Sequence, residues 1–587
     1  MTLLAGAFSR RGPLKHPDAL LAALSGLISR DASDRVDVVR DEHALLLKVD
    51  TGAFGVPARL DDGTVATFVA GEPIISANSE RRNRSDDVVV LHAGLRAGKH
   101  DVLARARGVF AVAQYDRRAK TMLLATDRLG VRPLYLWADG ETVVFSSTIR
   151  VLEACTLLPK HIDLSGLGQQ IALGYALGAR TPYAEITLLH AAEVVELSSA
   201  GVASSEYWKW PAVPRSSEDE ATLSARAYDA FTTGVRLRRG SDRASTAFLS
   251  GGLDSRCVVA ALRSEEMALH TFNFSPPGSE DREYGAQLAH AAGTAHEELE
   301  ADAPLDPGWS AMLANARQRS SSPVKARVER PHCVWSGDGG SVGLGHVYLR
   351  QPVVAQCSAN DPDGVVRAYL AGERGTVPVG LLRDDVKAEM SGAPARGVRA
   401  ELSRVDAGEL TQTFYLFLMQ NDQRRHLHRH FEEMDEHRLE LLLPFYDAEF
   451  LAIIASVPIE WRLYHAFYVR WLANFPPYVL ATRWQAYPGH VPCPVPATRE
   501  LGYQWAPAFT AAKRSAIRQG TLEKGLQALF APRFASDIMK RGALAVATAV
   551  HASRLRNYDY LLNAAAAIQR HCQFCDDSAR AHMQKVS

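Results

Sequence analysis

The chain has 587 residues, 47% of them hydrophobic, enough for two or three domains that each bury a core. Lys and Arg number 66 and so do Asp and Glu, so no net field gathers nucleic acid or anionic lipid, and neither is expected as a partner. No apolar run reaches the roughly 18 residues that span a bilayer. Arg10 and Arg11 follow the apolar N-terminus instead of preceding it, the wrong order for a secretion signal. Seven cysteines, mostly far apart, make no disulfide framework. A cytoplasmic protein is the expectation.

In chain order, the stretch from Phe110 to Arg150 reads as short strands divided by turns: Phe110 to Tyr115, Thr121 to Thr126, Leu134 to Trp137 and Thr142 to Phe145. Trp208 to Glu220, with two prolines and a polar run, suits a linker. Beyond it the texture turns helical, as in Ala221 to Arg236, with one compact strand, Ser245 to Leu249, running straight into a Gly-Gly turn. After Thr498 the pattern is helical again over Glu523 to Leu529, Ala543 to Arg556 and Tyr558 to Arg570, with no residues that suggest chemistry.

The most informative stretch is Leu249-Ser250-Gly251-Gly252-Leu253-Asp254-Ser255, a strand end, a glycine turn and a helix start. Glycines let backbone N–H groups approach phosphate oxygens, the helix N-terminus favours negative charge, and the hydroxyls of Ser250 and Ser255 add donors. Asp254 does not face a phosphate without a cation, so it reads as a ligand to Mg²⁺. The hexapeptide in this context predicts phosphate binding; a bare Gly-Gly would predict only a turn.

This segment resembles the pyrophosphatase loop of enzymes that cleave ATP to AMP and pyrophosphate, in the form used by the asparagine synthetase family. Other segments agree in order: Phe272 and Phe274 match the strand beside which adenine sits, and Glu280 to Tyr284 through Gly293 to Glu297 match the following helix and strand. Ser336-Gly337-Asp338-Gly339-Gly340 resembles the catalytic glycine loop, and Glu440 to Asp447 the Glu-x-x-x-Pro-Phe-x-Asp segment. In the N-terminal half, Gly108 to Asp116 with Thr126 to Tyr135 is similar to the family's glutaminase-type domain. The resemblance implies an α/β plus α+β protein. Residues 1–208 would form a degenerate Ntn-type αββα glutaminase-like sandwich. Residues 221–498 would form an adenine-nucleotide α-hydrolase-like (PP-loop) synthetase domain with a parallel sheet, and 499–587 a helical extension packed on it. It also implies ATP and Mg²⁺, with ATP held by Leu249 to Ser255, Phe274, Ser336 and Gly337.

Three departures matter. The family's glutaminase uses an N-terminal cysteine, whereas position 2 is Thr2, a residue that serves as an N-terminal nucleophile only in other enzymes. The glutamine loop reads Ala70-Gly71-Glu72-Pro73, and the Ser-Asp-x-Glu stretch reads Ser85-Asp86-Asp87-Val88. The expectation is a retained scaffold without glutaminase activity. The segment Trp484 to Pro494 lacks the catalytic lysine of asparagine and β-lactam synthetases and looks like the one in lasso peptide cyclases. Arg483 and His490 are the nearest cations. Ser341 stands where the family places a second metal-binding aspartate, so the second Mg²⁺ ligand is open.

With no ammonia from glutamine, the amine comes with the substrate. The resemblance then implies a macrolactam synthetase. It would adenylate an Asp or Glu side chain of a leaderless precursor peptide and close it onto the N-terminal amine, with a leader-peptide protease and a leader-binding protein as further partners. Asp338 and Glu440 stand at positions resembling the dyad that takes the amine's proton in β-lactam synthetases, where a Tyr occupies the first place. Otherwise Asp338 steadies a glycine turn and Glu440 pairs with Arg438 or another cation. A β-lactam-type or asparagine-type small-molecule ligase and a non-catalytic peptide-binding scaffold remain as alternatives.

His426, His430 and His437 have the look of a metal site but read as a polar helix face. His571-Cys572-x-x-Cys575 with His582 has zinc-like spacing without a second pair and reads as surface cysteines. Cys493 has no base partner in the sequence that would make it a nucleophile.

Overall fold

The structure is a computed structural model that describes residues 2–75, 83–299, 328–344, 349–373, 376–434, 437–484 and 510–575. Its N-terminal half is a sandwich of two six-stranded sheets. One sheet runs in the order Ile186–Leu188, Tyr135–Ala138, Thr142–Ser146, Thr2–Ser9, Ala44–Asp50, Val36–Arg40, and the other Gly201–Glu206, Glu193–Ser198, Thr121–Thr126, Val109–Asp116, Val65–Glu72, Arg59–Asp61. All neighbours in both are antiparallel.

Alternation along Thr2–Ser9 shows why this half reads as unbroken apolar runs. Leu4 and Phe8 point between the sheets with Leu46, Phe68, Tyr115 and Phe145. Leu3, Ala5 and Ala7 point the other way, under the helices Pro17–Ile28, Ile149–Ala154 and Leu164–Leu173. Arg84–Arg96 and Asp101–Ala104 cover the second sheet through Val88, Leu91, Leu95 and Val102. Both faces of the central strands are thus buried, with the edge strands Gly201–Glu206 and Arg59–Asp61 left largely exposed, and the half is the Ntn-type αββα sandwich. The four strands expected between residues 110 and 150 all form.

The Thr126 to Tyr135 motif has a local cause. Buried Asp127 accepts the N–H groups of Leu129 (3.0 Å), Val131 (3.1 Å) and Arg132 (2.9 Å), folding the turn around one carboxylate. That turn aims Arg132 at the other half of the molecule.

The linker after Trp208 is pinned down. Trp210 is buried and its indole N–H donates to the Arg128 carbonyl (2.6 Å). The helix Glu220–Arg239 follows, capped by Asp219, whose side chain accepts from the Thr222 N–H (2.8 Å). The second half is built on a five-stranded parallel sheet ordered Ala295–Glu298, Ala268–Asn273, Ala244–Phe248, Cys333–Trp335, Glu440–Leu442. Chain order reverses between Ala244–Phe248 and Cys333–Trp335, so a crevice opens beyond their C-terminal ends, where open α/β sheets bind ligands.

The C-terminal helices Ala511–Leu529, Arg541–Ala552 and Asp559–Cys572 form where a helical extension was expected. They pack on both halves, not on the synthetase half alone. The Arg383 N–H donates to Ile538 and the Lys540 N–H to Leu381 (both 2.9 Å), while His571 meets the Tyr183 hydroxyl (3.0 Å) and Arg570 the Glu153 carboxylate (3.4 Å).

The two halves are locked by one segment, Glu440 to Asp447. Asp447 is fully buried and caps the helix Ala448–Ser456. It also takes the guanidiniums of Arg107 (2.7 Å), from the sandwich, and Arg238 (2.9 Å), from the second half. Burial pushes its carboxyl up, but the two guanidiniums outweigh that and leave it below the ordinary aspartate range. Asp447→Ala, which strands two buried cations, should destabilise the fold by about 3–5 kcal/mol in urea denaturation at pH 7. A carboxyl depressed in the folded state contributes stability that is complete above the unfolded value near 4 and disappears as pH falls through the folded value. The gap between wild type and Asp447→Asn should therefore narrow only below about pH 4; a gap already closed at pH 6 would contradict the assignment.

Candidate active site

The strand Ala244–Phe248 ends in Leu249, whose N–H donates to the Phe272 carbonyl (3.0 Å) and whose own carbonyl accepts from the Asn273 amide (2.9 Å). This leaves Leu249 a structural residue at the root of the loop. In the turn, the Ser250 N–H donates to the Ser255 hydroxyl (3.0 Å) and the Gly252 N–H to the Ser250 hydroxyl (3.2 Å). The Gly251 N–H is held by Asp281 Oδ1 (2.8 Å), whose other oxygen accepts from Ser275. Of the expected loop donors, the Gly251 amide is therefore committed to Asp281. The Gly252 amide and the two hydroxyls bond one another at the mouth of the helix Leu253–Ser264, poised for an anion in place of each other. Phe274 is half-buried beyond its strand, edge-on to Phe248 with ring centroids 6.1 Å apart.

A second loop, Ser336 to Gly340, presses against the first, and its glycines permit this. A Cβ at Gly337 would lie 2.6 Å from the Ser255 nitrogen, and one at Gly340 2.6 Å from the Asp254 carboxyl carbon. Gly339, at φ +96°, would drive a Cβ into the Tyr446 ring. Asp254 accepts from the Ser341 N–H (2.8 Å) and hydroxyl (2.6 Å) on one oxygen and from the Tyr468 hydroxyl (2.6 Å) on the other. Burial pushes its carboxyl up to about 6; the donors from Ser341 and Tyr468 work against that, and the charge of Asp338 adds to it. A carboxylate whose surroundings favour a bound proton also favours a cation in its place, so Asp254 fits a hard divalent ion shared with phosphate oxygens. Ser341, at the position of the family's second aspartate, is a donor to Asp254 and brings no second carboxylate.

Asp338 accepts from the Ser336 hydroxyl (2.7 Å) and lies 3.9 Å from His426 Nε2 and 4.0 Å from His430 Nδ1. It is not joined by Glu440. Parallel pairing sets Glu440 level with Cys333, at the opening of its strand, whereas Asp338 lies past the C-terminal end of the neighbouring strand Cys333–Trp335. Glu440 is fully buried and pairs with Arg132 of the sandwich (2.7 Å) and the Thr2 N–H (2.8 Å). The expected dyad is thus separated: Glu440 is a junction residue with Arg132 as its cation, while Arg438 pairs with Asp34. Arg483 offers its carbonyl to Arg256 (2.9 Å); Gln485 to Pro494, with His490 and Cys493, lies outside the described residues.

Two groups escape sequence reasoning. Arg256, almost fully buried, donates to the carbonyls of Gly251, Gly252, Val479, Thr482 and Arg483, tying the loop to the wall opposite. Tyr468 reaches Asp254 from a helix more than two hundred residues away in sequence. A cation in the first turn of a helix that is apolar from Cys257 to Leu262 was the available signal for Arg256; nothing local points to Tyr468.

In the sandwich, Thr2 is buried, and its hydroxyl accepts from the Gly71 N–H (2.6 Å). The cavity between Glu72, Arg132 and Arg238 holds about 20 Å³, room for one water. The histidine helix is not the polar face expected. His428 and His430 are buried, and His428 Nε2 meets the Gly130 carbonyl (3.0 Å). Cys572 and Cys575 are no surface pair either: Cys575 is buried and Cys572 half-buried at the junction with the sandwich.

Two domain models match the chain, a glutamine amidotransferase domain over residues 72–208 and an asparagine synthase domain over residues 226–307. This is the pair of domains that the resemblance to the asparagine synthetase family implied. The putative glutamine-hydrolyzing asparagine synthetase 2 of Methanocaldococcus jannaschii is 28% identical over 210 residues, covering 35% of this chain and 40% of that one. The glutamine-hydrolyzing asparagine synthetases 3 and 1 of Bacillus subtilis are 28% and 23% identical over 198 and 302 residues, covering 32% and 48% of this chain and 31% and 48% of theirs. The chain thus spans less than half the length of these curated relatives. Among the described residues, no helix is long and apolar enough to cross a membrane.

The loop contacts make a sharp expectation. Arg256→Met, which frees five carbonyls, should weaken ATP binding at least about tenfold, given roughly 1.5 kcal/mol or more per charged hydrogen bond. Titration of a fluorescent ATP analogue measures this, and an unchanged affinity would remove Arg256 from the site.

Proposed function

We propose that the protein is an ATP-dependent, AMP-forming carbon–nitrogen ligase that does not draw its amine from glutamine. The observation that carries this is the contrast between its two halves. The loop at Ser250 to Ser255 and the glycine loop against it bring the expected donors together, whereas the sandwich carries a buried Thr2, bonded to Gly71 and Glu440, where a glutaminase needs a cysteine. The amine is then most economically part of the substrate. The finer reading is a lasso-type macrolactam synthetase acting on the leaderless core of a precursor peptide, working with a leader-peptide protease and a leader-binding protein.

In that reaction a side-chain carboxylate oxygen of the peptide attacks the α-phosphorus of ATP and the bond to pyrophosphate breaks. The N-terminal amine then attacks the acyl carbon, AMP leaves, and an isopeptide bond closes the ring. Mg²⁺ would neutralise the pyrophosphate as it departs. Ser250, Ser255 and the Gly252 amide would hold phosphate oxygens, and Asp254 the ion. A free α-amine has a pKa near 7.7–8.0 and must lose a proton as it reacts; Asp338, partly buried beside the loops, would receive it while it holds no ion. Ring closure depends on holding amine and acyl carbon together, which is positional catalysis.

A second reading has its own support, because the relatives reported above are all named asparagine synthetases. In it the acceptor is a small carboxylate such as aspartate and the amine is free ammonia. The test supplies Mg-ATP with a linear peptide bearing a free N-terminus and an Asp or Glu, or with aspartate plus ammonia, or with aspartate plus glutamine. AMP together with a peptide lighter by one water is the expected result, and Asp254→Asn should lower it by about a hundredfold or more. AMP formed only with aspartate and ammonia would replace the macrolactam reading by the asparagine one. Turnover with glutamine would overturn the inactive-sandwich argument.

A further inference from the structure

The histidine helix and the glycine loop bring together two imidazoles that the ligase reaction does not use and one carboxylate, Asp338, that serves it as a base only while it holds no ion. His426 and His430 stand four residues apart on the helix Arg424–Met434, so both imidazoles rise from one face, with ring centroids 4.2 Å apart. The carboxylate of Asp338, carried on the loop after Cys333–Trp335, faces them at 3.9 Å from His426 Nε2 and 4.0 Å from His430 Nδ1. One donor atom from each of the three lies within 4.8 Å of the other two. We propose that Asp338, His426 and His430 form a site for a divalent transition ion of the zinc class.

Two imidazoles and one carboxylate are the ligand set of open zinc sites and of facial-triad metals, in which the protein supplies three ligands and leaves a further position for water or a substrate oxygen. Tetrahedral bonds of about 2.0–2.1 Å put ligand atoms about 3.4 Å apart. Closing the present spacing onto an ion therefore takes about half an ångström between Asp338 and each histidine and at most about 1.4 Å across the widest pair, within reach of side-chain rotation. Burial is graded across the set: the His430 side chain is 0% exposed, that of Asp338 17% and that of His426 48%. The ion would have one rigid anchor, one loop ligand and one gate to solvent. Hard ions such as Mg²⁺ prefer an all-oxygen shell, so this pair of nitrogens separates the site chemically from the Asp254 position.

The proposal does not depend on the ligase reading, and its test uses no substrate. A metal-bound carboxylate accepts no proton, so loading is read by binding and spectroscopy instead of turnover. Full-length protein freed of metal by a chelator is titrated with Co²⁺, whose tetrahedral or five-coordinate nitrogen–oxygen complexes absorb in the visible, and then with Zn²⁺. The expected result is one Co²⁺ per chain with a visible band that one equivalent of Zn²⁺ abolishes. His426→Ala, at a half-exposed position, and Asp338→Asn should each weaken Co²⁺ binding by about a hundredfold or more while keeping the wild-type melting curve, and His290→Gln, on a distant exposed helix face, should bind as wild type does. A wild-type protein without the band, or a band that survives in both His426→Ala and Asp338→Asn, would overturn the site.

Discussion

The glycine loop that lies against Ser250 to Ser255 hangs from two buried carboxylates on one short segment. Glu440 and Asp447 have no exposed surface, and both are neutralised across the boundary between the halves, Glu440 by Arg132 and Asp447 by Arg107, with Arg238 of its own half as a second partner. Removing a charge from water is costly and is offset only when partner and geometry are both present. The edge strand Glu440–Leu442 therefore takes its place only when the sandwich is folded behind it. That strand pairs with Cys333–Trp335, and the Ser336 N–H donates to the Leu442 carbonyl (3.1 Å), so the root of the glycine loop is set by the same lock.

From there the site is a matter of close approach. Gly337 and Gly340 let one loop lie against the backbone and carboxyl of the other at distances no side chain tolerates. Arg256 holds the first loop from behind. The result is a carboxylate, Asp254, kept by its burial at a proton affinity well above that of a surface aspartate. Such a group is poised to exchange one positive partner for another, a property of its surroundings more than of its identity.

The sequence disclosed the parts whose causes are local. The turn of Thr126 to Tyr135 folds around Asp127, the loop of Ser250 to Ser255 needs its glycines and hydroxyls, and the strands between residues 110 and 150 carry their own punctuation. What it concealed depends on contacts between distant segments. Glu440 has the neighbours of a site residue in sequence, and only the strand register shows it turned toward Arg132. His430 sits in a run of charged residues that suggests a wet surface, yet the helix is wedged between the halves and the side chain is buried. Tyr468 meets Asp254 by tertiary packing alone, and so do the carbonyls of Val479, Thr482 and Arg483 that Arg256 joins to the loop, contacts that no window of residues encodes.

The arginine turn of the sandwich has a consequence for how such a protein can change over time. Whatever reaction it performs, the sandwich supplies the counter-charges without which its neighbour would bury naked carboxylates. A fold is not released from inheritance when its basic side chains have become the other half's internal salt. The two halves are bound to descend together, and a synthetase cut free at Trp208 would be a different polymer, not a smaller enzyme.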